Sequence, residues 1–295
     1  MRHRSFFYLC AFATTFFSTD ITDTACANCY TSEFDNYKLE RYSSRDCQIS
    51  DCSNQKMIHE ELFIAPPERE SCPICMYPLP FDERLISLRV CCGKIICTGC
   101  DYARAKDDSK LCEFCRTPGP TSDKEVIQQL EKGVERRDPN SILQLAGYHK
   151  DGEYGLKSNM AHAVNLYDMA CRHGSSDAYQ CIGSLYRTGN GVKKNLEKAK
   201  HYYKLGAMKG SVRARHNLAY LEVQAGNYEQ ALKHLLICVR AGFEPSLKSV
   251  GSIFQGGFVT REEYEEALEM WKKHRDDSRS TMRKEAEAYS VNPLL

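Results

Sequence analysis

A dense run of cysteines constrains this 295-residue chain more than any other feature, because eight of its 16 cysteines lie between Cys72 and Cys115. These residues form three Cys-x2-Cys pairs and one adjacent pair: Cys72 and Cys75, Cys91 and Cys92, Cys97 and Cys100, Cys112 and Cys115. Eight thiolates are the number that fills two tetrahedral zinc sites. A two-residue spacer lets two sulfurs face one ion from a tight turn, whose backbone N–H groups can donate to the thiolates. The spacing therefore predicts a module that binds two Zn²⁺ ions.

Three other uses of cysteine compete with this prediction. A disulfide framework is the ordinary alternative for a short cysteine-dense segment, and an iron–sulfur cluster also takes cysteine ligands. A thioredoxin-like redox site needs a single Cys-x2-Cys pair, whereas this segment has three. The adjacent cysteines and the repeated pairs favour zinc over all three.

The order of the pairs resembles a RING finger, the zinc module of many ubiquitin ligases. The resemblance is carried by Cys72-Pro-Ile-Cys75, by Cys92-Gly-Lys-Ile-Ile-Cys97-Thr-Gly-Cys100 and by Cys112-Glu-Phe-Cys115-Arg116. It implies a short β-hairpin plus a helix and an interleaved order of ligands. The first ion would then be held by Cys72, Cys75, Cys97 and Cys100. The second would be held by Cys112, Cys115 and two ligands near Cys91–Lys94.

The second half-site departs from the family pattern. RING fingers commonly carry Cys-x-His five and three residues before the first cysteine of the third pair, and these positions are Cys92 and Lys94 here. Lysine is not an ordinary zinc ligand. We therefore expect Cys91 and Cys92 both to bind, although adjacent ligands are geometrically awkward and the sequence leaves open which of them completes the site.

The resemblance implies that the module positions other proteins and performs no covalent chemistry itself, since every one of its cysteines is needed as a ligand. A RING docks a ubiquitin-conjugating enzyme that carries ubiquitin and holds this conjugate in a reactive conformation. The family places an apolar contact at Ile74 and a bracing arginine at Arg116. The alternatives are that Ile74 packs the knuckle and that Arg116 is an ordinary exposed arginine. Glu113 stands where active members often carry proline. No residue is predicted to be catalytic.

The second half of the chain contains an internal repeat. Three glycines lie 36 and then 32 residues apart, and a small residue precedes each by the same steps: Gly174, Gly210 and Gly242 follow Ala163, Ala199 and Ala231. Such a period predicts a helical solenoid, in which the glycines end helices in the left-handed conformation. Gly147, Gly183 and Ala219 are expected to let paired helices approach closely.

Residues Leu185 to Tyr203 resemble the Sel1-like repeat, a relative of the tetratricopeptide repeat. The resemblance implies a mainly α fold and a concave face that recruits a protein. We expect a solenoid over residues 122–275, with a helix from Ser122 to about Arg137, three units from Asn140 to Gly242, and a degenerate fourth unit. The fourth unit spans Phe243–Phe254 and Arg261–Lys273, and the third looks more like a tetratricopeptide repeat. The zinc module occupies residues 71–118.

The ends of the chain give conflicting signals. Arg2-His-Arg4, an apolar run from Phe6 to Phe17 and Ala25-Cys-Ala27 have the shape of a signal peptide over residues 1–27. The apolar run is too short to span a membrane, so no transmembrane segment is predicted. The thiolate-rich module favours the cytoplasm, and the N-terminus leaves a secretory or organellar route open. Residues 28–70 are expected to be a mostly disordered linker, and 276–295 a helix or tail.

Charge argues against nucleic acid as a partner, because 40 Lys and Arg residues are interspersed with 39 Asp and Glu residues. Two functions remain. The chain is a ubiquitin ligase whose solenoid recruits the target protein, or it is a non-catalytic interaction scaffold with a structural zinc module.

Overall fold

The cysteine-rich segment folds as a β-hairpin followed by a helix in the computed structural model of the chain, which describes residues 70–81, 85–105, 111–277 and Arg283. Strand β1 (Ile86–Arg89) pairs antiparallel with β2 (Lys94–Cys97), and helix α1 (Thr98–Ala105) follows at once. The expectations for the signal-like N-terminus, for the linker up to residue 69 and for most of 276–295 lie outside these ranges.

The hairpin turn consists of residues 90–93 and contains the adjacent cysteines. Arg89 and Lys94, the residues that flank the turn, are paired across the two strands. The Arg89 carbonyl accepts hydrogen bonds from the N–H groups of Cys92 and Gly93 at 3.0 and 2.8 Å. Gly93 has a φ of 74°, a conformation that side chains disfavour, and a Cβ there would collide with the Asp138 carboxylate. The turn therefore depends on glycine both for its conformation and for its close approach to the helices that follow.

Nine further helices in the described part of the chain form the solenoid, which makes the fold mainly α as predicted. They are α2 (Asp123–Glu135), α3 (Pro139–Asp151), α4 (Met160–Arg172), α5 (Ser176–Thr188), α6 (Leu196–Met208), α7 (Val212–Gln224), α8 (Tyr228–Arg240), α9 (Glu244–Gln255) and α10 (Arg261–Asp277). Each unit is a pair of packed helices, from α3 with α4 to α9 with α10. None of the helices in the described ranges combines the length and the apolar character that crossing a membrane requires.

Repeated start and stop signals explain why helices of similar length recur along the chain. Six of them begin after a capping side chain that accepts a hydrogen bond from a backbone N–H three residues on: Ser122, Asp138, Asn159, Ser175, Asn195 and Ser211. Thr260 and Glu263 form a reciprocal capping box before α10, with N···O distances of 2.8 and 3.2 Å. The predicted left-handed glycines are confirmed, with φ values of 97°, 92° and 86° at Gly174, Gly210 and Gly242.

Two glycines at corresponding positions of successive units have different surroundings. A Cβ on Gly183 would lie 2.6 Å from the Tyr203 ring and 3.3 Å from the Ala199 carbonyl, so α5 and α6 meet there as predicted. The same prediction is wrong for Gly147, where a Cβ would have no neighbour within 4 Å. Gly147 instead lines a cleft of about 1550 Å³ between the cysteine-rich module and the solenoid.

The module contacts the solenoid through its hairpin turn and through Phe81. Arg136 donates a hydrogen bond to the Cys91 carbonyl at 3.0 Å, and the Asn140 amide donates to the Gly93 carbonyl at 3.0 Å. Farther along the solenoid, Arg213 donates to the Phe81 carbonyl at 2.5 Å, and the Phe81 ring lies edge-on to Phe243. These contacts hold the module against the solenoid, and residues of both line the cleft.

Candidate metal centre

The first cysteine cluster combines the first and third pairs of the sequence. The Sγ atoms of Cys72 and Cys100 are 3.7 Å apart, those of Cys75 and Cys97 are 3.8 Å apart, and all four lie within 4.8 Å of one another. The first pair comes from a turn before the hairpin, whereas Cys97 ends β2 and Cys100 lies in α1. Burial of Ile96 beside this cluster completes a small core around it.

The second cluster joins the hairpin turn to the fourth pair. The Sγ atoms of Cys92 and Cys112 are 3.8 Å apart, those of Cys91 and Cys115 are 3.4 Å apart, and again all four lie within 4.8 Å. The tight turn allows adjacent Cys91 and Cys92 to reach the same point, which resolves the geometric difficulty that the sequence raised. Lys94 is an exposed residue at the start of β2 and is not part of the cluster.

The spacing of the sulfurs fits one tetrahedral ion in each cluster. Four sulfurs about 2.3 Å from a Zn²⁺ ion lie about 3.8 Å from one another. Three of the observed distances are 3.7 or 3.8 Å, and the fourth is shorter at 3.4 Å. A disulfide needs an S–S distance of about 2.05 Å, and all eight cysteines are free. A four-sulfur donor set of this kind suits a soft, tetrahedral metal such as zinc. Both clusters can therefore hold a metal ion.

The two knuckles that carry Cys72–Cys75 and Cys112–Cys115 have the same backbone. The N–H of Cys72 donates to the Tyr77 carbonyl at 2.8 Å, and that of Cys112 donates to the Thr117 carbonyl at 2.9 Å. The residue after each second cysteine is left-handed without being glycine: φ is 60° at Met76 and 59° at Arg116. This conformation brings the turn back so that backbone N–H groups surround the thiols. The sequence signal for it was the shared spacing of each pair from a following proline, Pro78 and Pro118.

Ionisation of the thiols is unequal within each cluster. Burial opposes ionisation of Cys72, but N–H groups of Cys75, Cys97 and Ile74 outweigh it and lower the pKa of Cys72 to about 7. Burial likewise opposes ionisation of Cys115, yet hydrogen bonds from Thr117 lower its pKa to about 6.

Other thiols of the same clusters have raised pKa values. Burial and the neighbouring thiols raise the pKa of Cys91 and of Cys100, and burial with Cys112 raises the pKa of Cys92 to about 11. Four thiols in contact cannot all ionise without a cation, because each negative charge disfavours the next. A divalent cation would relieve this repulsion.

The residues that the RING resemblance singled out lie at the surface of the knuckles. Ile74 is 43% exposed and does not belong to the buried core around the first cluster, which disfavours a packing role for it. Arg116 is exposed. Glu113 is held by Arg89, whose Nε donates to Oε1 at 2.9 Å, and Arg89 also donates to Asp101 at 2.6 Å. Sequence reasoning missed this ion-pair network, since nothing in the spacing connects these three residues.

Comparison with known proteins identifies the repeats. A family model described as the Sel1 repeat matches residues 139–175 and 181–211. These two segments are Sel1 repeats. The matched residues cover α3, α4, most of α5 and all of α6.

Individual relatives share only part of this chain. An uncharacterised protein of Neisseria meningitidis serogroup B is 27% identical over 99 residues, which are 34% of this chain and 21% of the relative. A Sel1 repeat protein from Oxalobacter formigenes is 31% identical, with 50% of this chain and 64% of that one covered and a TM-score of 0.46. A protective antigen of uropathogenic Escherichia coli strains, described as displaying an SLR fold, is 19% identical, with 66% and 40% covered and a TM-score of 0.47. The chain thus spans about a fifth of the length of the curated relative that it matches.

Proposed function

We propose that the module is a RING-type zinc-binding domain and that the chain is a ubiquitin ligase whose Sel1 repeats recruit a protein target. The observation that carries this proposal is the interleaved order of the two clusters. The first and third cysteine pairs meet in one, and the second and fourth meet in the other. A linear series of zinc knuckles would instead bring neighbouring pairs together. The interleaved order is the one that the RING resemblance implies.

Zinc would be held by Cys72, Cys75, Cys97 and Cys100 in the first site and by Cys91, Cys92, Cys112 and Cys115 in the second. Bound zinc supplies a structural cross-link, because each site joins segments that are far apart in sequence. Contacts with partner proteins would come from side chains at the surface of the module. Ile74 offers an exposed apolar contact on the first knuckle, and Arg116 offers a guanidinium directly after the second.

The role of these residues is to position rather than to react. A ubiquitin-conjugating enzyme would dock against Ile74, and Arg116 would donate hydrogen bonds that brace the enzyme and its ubiquitin together. The cleft between module and solenoid, lined by Gln144, Gln180 and Arg213 among others, adjoins the repeats and supports recruitment of a target close to the conjugate.

An autoubiquitination assay of the full chain with a panel of conjugating enzymes tests the proposal. We expect activity in the wild type, its loss in Ile74→Ala and its reduction in Arg116→Ala, with two zinc ions retained by each variant. Leu196→Ala is a matched control because Leu196 is 47% exposed and lies on the solenoid. Removal of an exposed apolar side chain there should leave activity unchanged.

The second candidate is a non-catalytic scaffold, and the Arg89–Glu113 contact favours it. Glu113 occupies the position where active RING domains often carry proline, and its carboxylate is engaged by Arg89. A wild-type chain that stays inactive across a broad enzyme panel while it holds two zinc ions supports the scaffold and contradicts the ligase.

A further inference from the structure

The second cysteines of the two knuckles have different neighbours. Cys75 and Cys115 are equivalent, since each is followed by a left-handed residue and then by the carbonyl that accepts from the first cysteine. The Cys115 thiol donates to the Thr117 hydroxyl oxygen at 3.3 Å, and the same hydroxyl can donate to this sulfur once it is a thiolate. Tyr77 stands at the position of Thr117 in the first knuckle. A tyrosine has no hydroxyl close to its backbone, so Cys75 has a hydrogen bond from the Tyr77 backbone but no neighbouring hydroxyl.

Arg283 lies beside Cys75 instead. Its Nη2 donates to the Tyr77 carbonyl at 3.2 Å and lies 4.0 Å from Cys75 Sγ, although 208 positions separate Arg283 from Cys75 in sequence. The guanidinium carbon is 6.0 Å from the centre of the Tyr77 ring, within reach of a cation–π contact. Arg283 is only 7% exposed, and an arginine is rarely buried to this extent unless it is paired. The Tyr77 carbonyl, the Tyr77 ring and the Cys75 thiol, which Arg283 approaches, thus all belong to the first knuckle.

We propose that Arg283 is a positioning residue of the first metal site, acting on zinc through Cys75; the inference rests on the proposed zinc binding. Four thiolates around Zn²⁺ carry a net charge of two minus. A guanidinium beside one of them offsets part of that charge and donates a charge-assisted hydrogen bond to the sulfur. Partners of this kind hold a ligand in place and oppose its release.

The contact supports the site rather than covering the neighbouring surface. Ile74 remains 43% exposed beside the knuckle that Arg283 contacts, so the surface proposed for a conjugating enzyme stays accessible. The consequence is that Arg283 supports the first zinc site, whereas Thr117 supports the second.

Site-resolved alkylation of the full zinc-loaded chain tests the inference. The protein is exposed to a chelator and a maleimide, and mass spectrometry follows each cysteine with time. In Arg283→Met, which keeps the aliphatic stem, we expect the cysteines of the first site to react about tenfold faster, with the second site unchanged. Arg283→Lys, which keeps the charge, should restore most of the protection.

Two control variants sharpen the comparison. Thr117→Val should accelerate only the second site, because it removes the hydroxyl beside Cys115. Arg261→Ala removes an exposed arginine paired with Glu265 and should change neither site.

Three results would overturn the inference. Equal rates in Arg283→Met and wild type, with two zinc ions in each, would remove Arg283 from the site and leave the proposed zinc binding intact. Acceleration of all eight cysteines that Arg283→Lys fails to reverse would indicate general destabilisation. A wild-type chain without zinc would contradict the proposed function itself, and the inference with it.

Discussion

Arg89 donates a hydrogen bond from Nε to Oε1 of Glu113 over 2.9 Å, and this contact fastens the hairpin to the second knuckle. The same guanidinium donates to Asp101 of α1 at 2.6 Å, so one side chain joins three elements of the module. The Arg89 side chain is only 12% exposed, which reduces screening of the pair by solvent. A residue that looked unfavourable from the family pattern therefore has a structural role.

Replacing Glu113 by alanine should loosen the hairpin. The change leaves a largely buried guanidinium with one partner fewer, and we expect a loss of about 2 kcal/mol in local stability. Hydrogen exchange measured by mass spectrometry at saturating zinc should show peptides from β1 and β2 exchanging about 30-fold faster.

The matched control is Glu265→Ala, which breaks an exposed ion pair with Arg261. Exposed pairs of this type contribute about 0.5 kcal/mol or less, so exchange in α10 should barely change. Equal effects of the two substitutions would contradict a structural role for the Arg89–Glu113 contact.

The adjacent cysteines should both prove necessary for the second metal ion. Cys91→Ser and Cys92→Ser each remove one of four converging thiols, so zinc content should fall from two ions per chain to one in either variant. Inductively coupled plasma mass spectrometry of the purified protein measures this directly. Retention of two ions by either variant would assign that sulfur a role outside the site.

The sequence predicted the helices and their boundaries better than it predicted the contacts between distant parts of the chain. Helix starts and stops are local signals, so the caps at Ser122 and Thr260 and the left-handed Gly174 follow from short stretches of sequence around each position. Only the RING resemblance predicted which cysteines share a cluster, because spacing alone does not determine which pairs come together.

What could not be predicted depends on residues distant in sequence. Arg136 and Asn140 bind the hairpin turn, and Arg283 reaches the first knuckle, yet none of the three carries a motif. The surroundings of Gly147 could not be predicted either. It shares the repeat position of Gly183, but what faces a helix at that position is decided by the neighbouring segment, here the cleft.

Those two glycines provide a paired test of the solenoid. Gly183→Ala should destabilise the protein by about 1–3 kcal/mol, because the new methyl group would lie 2.6 Å from the Tyr203 ring. Gly147→Ala should stabilise by up to about 1 kcal/mol, since alanine favours a helix and nothing lies within 4 Å of its Cβ. Urea denaturation followed by circular dichroism measures both, and changes of the same sign would contradict the packing described for α5 and α6.

His216 should make the stability of the solenoid depend on pH. Its Nδ1 lies 2.9 Å from the Ser246 hydroxyl, its ring meets Phe243 edge-on, and burial lowers the pKa of His216 below the ordinary value of 6.5. The unfolded chain therefore takes up this proton at a higher pH than the folded chain does. The contribution of His216 is fully present above about pH 6.5 and is lost as the pH falls through the lower, folded-state pKa.

The free energy of unfolding, measured at pH 7.5 and pH 5.5, should fall less in His216→Gln than in the wild type. Protonation of the clustered thiolates would also weaken metal binding at low pH, but this effect is common to both proteins and cancels in the difference. Ser246→Ala keeps the imidazole and its burial, so this variant should retain the wild-type dependence on pH. Identical falls in His216→Gln and wild type would show that the imidazole becomes protonated in the folded solenoid as readily as in the unfolded chain.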